Sequence, residues 1–168
     1  LIEQVTEESV QTSAFATDPA VLSAHPTGRV PVLIRDDGKP IHDSRVITRY
    51  LDDIAGGGFY PSSRLWDVLT QEATVEGILD SAIIIAYENR LRPEERQWDA
   101  WKDAHWAKIT HGLSVLDMDW DTISAFPIDM SQIALGCALG YLDFRHDSRN
   151  WRARHDRLAN WYENFRQR

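Results

Sequence analysis

The chain has 168 residues, 43% of them hydrophobic and 26% charged, with a formal net charge of −8. That is the composition of a globular protein of one large or two small domains, and its acidic balance argues against nucleic acid as a partner. No apolar run approaches the roughly 18 residues of a spanning helix, so no membrane is expected. A single cysteine, Cys137, leaves no internal disulfide and fits a reducing cytoplasm. The six histidines show no metal-ligand spacing, and no metal site is expected.

Leu1–Val10 reads as the last turns of an amphipathic helix, and Val10–Ala16 as a short strand of small and β-branched residues. Asp18-Pro19 opens a short helix, because Asp accepts from free helix N–H groups and Pro suits the first helical position. His25-Pro26-Thr27-Gly28 ends it. An apolar strand follows at Val30–Ile34, with a hairpin turn at Asp36-Asp37-Gly38-Lys39 and a short return strand. Asp43-Ser44 then caps a helix whose apolar face is Val46, Ile47, Tyr50, Leu51 and Ile54.

At Gly56-Gly57-Gly58 the style of the chain changes. We assign residues 1–55 to an N-terminal α/β domain, 56–63 to a linker and 64–168 to an all-helical domain. Ser62 or Ser63 is expected to cap a long helix carrying Leu65, Leu69, Ile78, Leu79, Ala82, Ile83 and Ala86 and ending near Pro93. A second helix carries Trp98, Trp101, His105, Ile109, Leu113 and Leu116, spaced by three and four. A third, Ile133–Phe144, is apolar almost throughout and is expected at the buried centre with Cys137 inside it. A fourth covers about Arg154–Arg166 and presents Leu158, Trp161 and Phe165 on one face.

Three local features bear on function or folding. Val30-Pro31 interrupts an apolar strand; Pro donates no ladder hydrogen bond, so the dipeptide marks either a protected edge or a cis bond beside an extended peptide ligand. Asp43-Ser44 at a helix start is either a plain N-cap or a seat for a carboxylate or phosphate. Asp129 and Gln132 read as a capping box, with Ile128 and Ile133 as its hydrophobic staple.

Together these features are more specific than singly. Gly28-Arg29-Val30-Pro31-Val32-Leu33, then Asp36-Asp37-Gly38, then Asp43-Ser44-Arg45-Val46-Ile47 with Tyr50-Leu51 resembles the core of bacterial glutathione transferases. The helical half resembles them too, in Gly77-Ile78-Leu79-Asp80, Tyr87-Glu88, Ile133-Ala134-Leu135-Gly136 and Gly140-Tyr141-Leu142-Asp143-Phe144-Arg145. The resemblance implies a thioredoxin-like domain followed by a helical bundle, in a cytoplasmic two-fold homodimer. It implies that the backbone of Val30 pairs with the cysteinyl part of glutathione, that Pro31 is cis, and that Asp43 and Ser44 hold the γ-glutamyl end. The activity implied is a detoxifying transfer of glutathione thiolate to an electrophilic small molecule, which is expected against the first two helices of the all-helical domain, near Tyr87 and Arg90.

Departures from the family pattern bear on that reading. The Tyr, Ser or Cys that activates the sulfur is expected upstream of Leu1, so no catalytic residue is named. His25 and His42 replace residues that are more often Asn and apolar. The alternatives are a binding or scaffold protein without transfer chemistry, or a thiol reductase or lyase should the upstream residue be Cys.

Overall fold

The computed structural model describes residues 5–168. The chain divides between Tyr60 and Pro61 into two compact units.

The first unit contains α1 (Pro19–Ala24), β1 (Val32–Ile34), β2 (Pro40–His42) and α2 (Ser44–Ile54). Asp18 caps α1 by accepting from the Ala20 N–H at 2.8 Å, with Pro19 in the first turn, as the sequence predicts. β1 and β2 pair antiparallel, with Val32 opposite His42 and Ile34 opposite Pro40. The connecting turn is closed by the Gly38 N–H on the Arg35 carbonyl at 2.8 Å, and Gly38 takes φ 79°. Val21 and Ile47 are the buried apolar side chains among the described residues here, while Val46 and Ile54, expected on the apolar face of α2, are about half exposed. Residues 56–60 fold back on α2. Gly57 N–H bonds the Asp52 carbonyl, Phe59 N–H bonds the buried Asp52 carboxylate, and the Tyr60 hydroxyl meets Thr48 Oγ1 at 3.0 Å.

Two N-terminal expectations are corrected. Residues 1–4 of the expected helix lie outside the described residues, and Val5–Val10 is not helical. So short a segment gains too little from helical hydrogen bonds to offset nucleation. Among the described residues Val10–Ala16 joins no ladder; Ser13 and Ala16 exchange backbone hydrogen bonds at 2.9 and 3.3 Å, and this local turn overrides strand propensity.

The second unit contains α3 (Leu65–Leu91), α4 (Asp99–Met118), α5 (Trp120–Ser124), α6 (Met130–His146) and α7 (Asp156–Phe165). Together the two units are a thioredoxin-like domain followed by a helical bundle. Neither Ser62 nor Ser63 caps α3: residues Ser62–Arg64 form a 3-10 turn that runs directly into the helix and makes no side-chain cap. The buried face of α3 runs through Val68, Val75, Ile78, Ala82 and Ile85, whereas Leu65, Leu69 and Leu79 are half-buried and Ile83 is exposed. Apolar residues lie on several sides of this helix, so packing against α4 and α6 selects the face. On α4 the expected His105, Ile109, Leu113 and Leu116 are buried, but Trp98 and Trp101 stay exposed.

α6 lies at the centre, with Leu135, Ala138, Leu139 and Leu142 buried against α3 and α7. Gly136 is required there, since a Cβ would collide with the Phe165 ring. Cys137, expected inside the core, is exposed, because the 3.6-residue period turns it away from the buried stripe. α7 begins two residues later than expected: Trp151–Arg154 is a 3-10 turn, and His155 breaks the run with φ −137°.

Asp129 caps α6 and is 1% exposed. Its carboxylate accepts from Gln132 N–H at 3.3 Å, from Ser131 Oγ at 2.6 Å and from Arg64 Nη1 at 3.4 Å. The reciprocal half of the expected capping box is absent, because the Gln132 amide donates to the carbonyls of Ile123 and Pro127 instead. Arg64 also lies 3.5 Å over the Phe126 ring, so one carboxylate joins the start of α3, the loop before α6 and α6 itself. Asp129→Ala therefore removes a cap and leaves a half-buried guanidinium unpaired, and should cost about 2–4 kcal/mol. Denaturant midpoints at unchanged slope measure this, and a loss below about 0.5 kcal/mol contradicts the assignment.

Candidate functional site

The hairpin register brings the Val30–Pro31 end of β1 beside the Asp43–Ser44 end of β2. The Val30–Pro31 peptide bond is cis, as expected. Val30 is 52% exposed, and among the described residues no hydrogen bond engages its N–H or carbonyl. An exposed stretch of backbone with one free donor and one free acceptor can pair with an extended peptide as a ladder would. Gly28, two residues before Val30, holds φ 65°, and a Cβ there would meet Thr17 Cγ2 at 2.6 Å.

Asp43 takes φ 66° and ψ 131°, a conformation that costs a non-glycine residue about 1–3 kcal/mol and recurs at ligand clamps. Its carboxylate caps α2 by accepting from Arg45 N–H at 3.1 Å, and also accepts from Arg45 Nε at 3.1 Å. The Asp43 carbonyl takes the N–H groups of Val46 and Ile47. That leaves Ser44: among the described residues neither its N–H nor its hydroxyl has a partner, and both lie at the positive end of an 11-residue helix. This is an arrangement that binds a carboxylate.

His25 is buried and packs on His42 with ring centroids 4.2 Å apart and the rings tilted by 45°. His25 Nδ1 accepts the Thr27 N–H at 3.1 Å, which fixes the loop leading to Gly28 and Val30. The sequence departs from the family pattern at both histidines, and the structure makes them one contact.

Tyr87 and Arg90 lie in the helical unit, on the exposed side of the last turns of α3. Glu88 between them points inward, accepting from Trp98 N–H and from Arg92 Nε, each at 2.9 Å. The bond from Trp98, reinforced by Arg92, holds its carboxyl below the usual range. The Tyr141 hydroxyl lies beside Arg145, with Tyr87 and Arg90 near. The sequence quoted Tyr141 and Arg145 only within a longer motif; their i,i+4 spacing was the signal that they share a face. Cys137 is exposed as a residue, but neighbouring atoms partly shield its thiol from solvent and raise its pKa, which argues against a nucleophilic role. Among the described residues no group of three or more His, Cys, Asp or Glu is arranged to hold a metal ion, and no helix is long and apolar enough to cross a membrane.

The Arg45 guanidinium, through its hydrogen bond, lowers the Asp43 pKa below the ordinary carboxylate value. A folded-state pKa below the unfolded one contributes stability above about pH 4, and that contribution is lost as pH falls through the folded value. Arg45→Gln should therefore move the Asp43 titration upward in a carboxyl NMR experiment. An unmoved titration would show that Arg45 does not set the charge at this helix start.

Residues 2–54 match the family model for the glutathione S-transferase N-terminal domain, and residues 99–164 match that for the C-terminal domain. A glutathione transferase family member from Pseudomonas fluorescens Pf-5, solved with bound glutathione, is 38% identical, with 99% of this chain and 83% of that one covered at a TM-score of 0.95. A second structure from that source holds S-(propanoic acid)-glutathione, at 38% identity, 96% and 80% coverage and a TM-score of 0.86. The GST-like protein YibF of Escherichia coli K12, itself uncharacterised, is 27% identical over 166 residues, which are 96% of this chain and 82% of that one. Two domain models in order, together with a relative 38% identical over most of its length, place this chain in the glutathione S-transferase family.

Proposed function

We propose that this protein is a glutathione transferase that binds the tripeptide along Val30 and at Asp43 and Ser44. The unused N–H and hydroxyl of Ser44 at the start of α2 carry the proposal. The γ-glutamyl end of glutathione has both an α-carboxylate and an α-ammonium. The carboxylate suits the two Ser44 donors, the ammonium suits the ionised Asp43, and the cysteinyl N–H and C=O suit the exposed backbone of Val30. Relatives from Pseudomonas fluorescens and Methylobacillus flagellatus, the latter 33% identical with a TM-score of 0.83, were solved with glutathione bound, which supports the same ligand here.

The chemistry follows from the thiol. Glutathione's thiol, with an ordinary pKa near 8.5, is only a few per cent ionised at neutral pH, so a site that stabilises the thiolate raises the rate directly. The thiolate then forms a carbon–sulfur bond to an electrophilic small molecule, and either a leaving group departs with its bonding electron pair or a carbon–carbon π bond breaks and the carbanion so formed takes a proton from water. Val30, Asp43 and Ser44 grip backbone and charged ends, and none of them activates sulfur. The Pseudomonas fluorescens relative holding S-(propanoic acid)-glutathione supports a conjugate with a small acidic substituent as a product here. The protein works in the cytoplasm as a two-fold homodimer. Exposed Trp66 on α3 and Trp98 and Trp101 at α4 supply apolar surface suited to a second copy.

Calorimetry on the intact protein tests this. Glutathione should bind, and Ser44→Ala should weaken it by about 1–3 kcal/mol, the usual loss of a hydrogen bond to a charged group. Unchanged affinity would reduce Ser44 to a helix-start residue, and no binding in the parent would favour a scaffold.

A further inference from the structure

The helical unit carries a groove of about 730 Å³ between α4 and the segment that joins α6 to α7. Trp106, Thr110 and Ser114, four residues apart, line it from α4 with His111 beside them, and Arg149, Asn150 and Arg154 line it from the joining segment. Every lining residue belongs to the second unit, so the groove lies within one compact body. Its volume falls in the range of small-molecule sites.

A buried imidazole ties the two walls together. His155 is 2% exposed; its Nδ1 donates to the Trp151 carbonyl at 2.6 Å, and its Nε2 meets Ser114 Oγ at 3.1 Å. Trp106 packs on the apolar core, so the other wall is fixed as well. The width of the groove is therefore set by packed side chains.

The charge of the groove opposes that of the chain. No Asp or Glu is among its lining residues, although the net charge of the protein is −8. The Arg149 guanidinium lies 5.3 Å from the centre of the Trp106 ring and meets Asp103 at 3.0 Å; the Asp103 side chain is mostly exposed, and such a pair holds its arginine weakly. Arg154 is exposed and, among the described residues, has neither a carboxylate nor a hydrogen-bond partner. A guanidinium stays charged at any ordinary pH and presents a planar fork of donors that matches a phosphate.

We propose that this groove binds the phosphate monoester of a small ring-bearing molecule, with Arg149, Arg154 and His111 on the phosphate and Trp106 beside the ring. The inference stands apart from the transferase reading and assigns the helical unit a ligand of its own. A phosphate monoester carries nearly two negative charges and three terminal oxygens, which two guanidiniums match; one guanidinium already satisfies a carboxylate, and a neutral ring would leave both without a partner. The half-buried indole of Trp106 supplies the apolar contact for the organic part.

Calorimetry tests the assignment on the intact protein with glutathione present in excess, using 1-naphthyl phosphate, 1-naphthoate, 1-naphthol and inorganic phosphate. The parent should take up one 1-naphthyl phosphate per chain, about 10-fold or more tighter than each of the other three, since a charge-assisted hydrogen bond is worth about one decade in affinity or above. Arg154→Gln should weaken 1-naphthyl phosphate by about 10-fold or more and leave 1-naphthol within about two-fold. Arg157→Gln, which removes an arginine of the same unit outside the groove, should change neither. Absence of binding in the parent, 1-naphthoate or 1-naphthol binding as tightly as the phosphate, or an affinity that Arg154→Gln leaves unchanged or Arg157→Gln reduces equally would each overturn the inference, while glutathione binding in the first unit would be unaffected.

Discussion

The passage of the chain from β2 into α2 at Asp43 is the constraint on which the first unit's chemistry depends. A left-handed φ at a non-glycine residue costs free energy, and here the cost is offset by the cap Asp43 places on α2. The same turn commits the Asp43 carbonyl to Val46 and Ile47 and its carboxylate to Arg45, so that of the first helical N–H groups only that of Ser44 is left over. The Ser44 N–H and hydroxyl stay unspent at this helix start, at the end of the hairpin that also carries the exposed backbone of Val30. Burial of His25 against His42 and the hydrogen bond from Thr27 fix the loop on the other side.

In the second unit an apolar helix, α6, fills the centre, and a single buried carboxylate starts it. Asp129 serves three elements at once, through Arg64, Ser131 and the first turn of α6. Gly136 allows Phe165 of α7 to close on α6, and Glu88 joins the end of α3 to the start of α4. Each device faces inward.

Much of this was legible in the sequence because it rested on local rules. Asp18-Pro19, Asp36–Lys39 and Asp43-Ser44 state their own caps and turns, and the spacing of Ile109, Leu113 and Leu116 states its buried face. What was misread depended on partners far along the chain. Val10–Ala16 has strand composition but no ladder. α3 is apolar on several sides, so its neighbours decide that Val68 and Ile85 are buried and Ile83 is not. Cys137 lies on the outward side of a helix whose composition says only that it is buried somewhere. At the candidate site, Val30 and Ser44 were named from their motifs. Arg145 required the packing of α6 on α3, which no local pattern contains.

The central claim is that Val30 and Ser44 together receive one tripeptide, and a crystal structure of the intact protein grown with glutathione tests it most directly. The account predicts the γ-glutamyl carboxylate on the Ser44 N–H and hydroxyl, and the cysteinyl N–H and carbonyl paired with the backbone of Val30, at ordinary hydrogen-bond distances of about 2.7–3.2 Å. Glutathione bound elsewhere, or Ser44 and Val30 left without contact to it at saturating concentration, would contradict it.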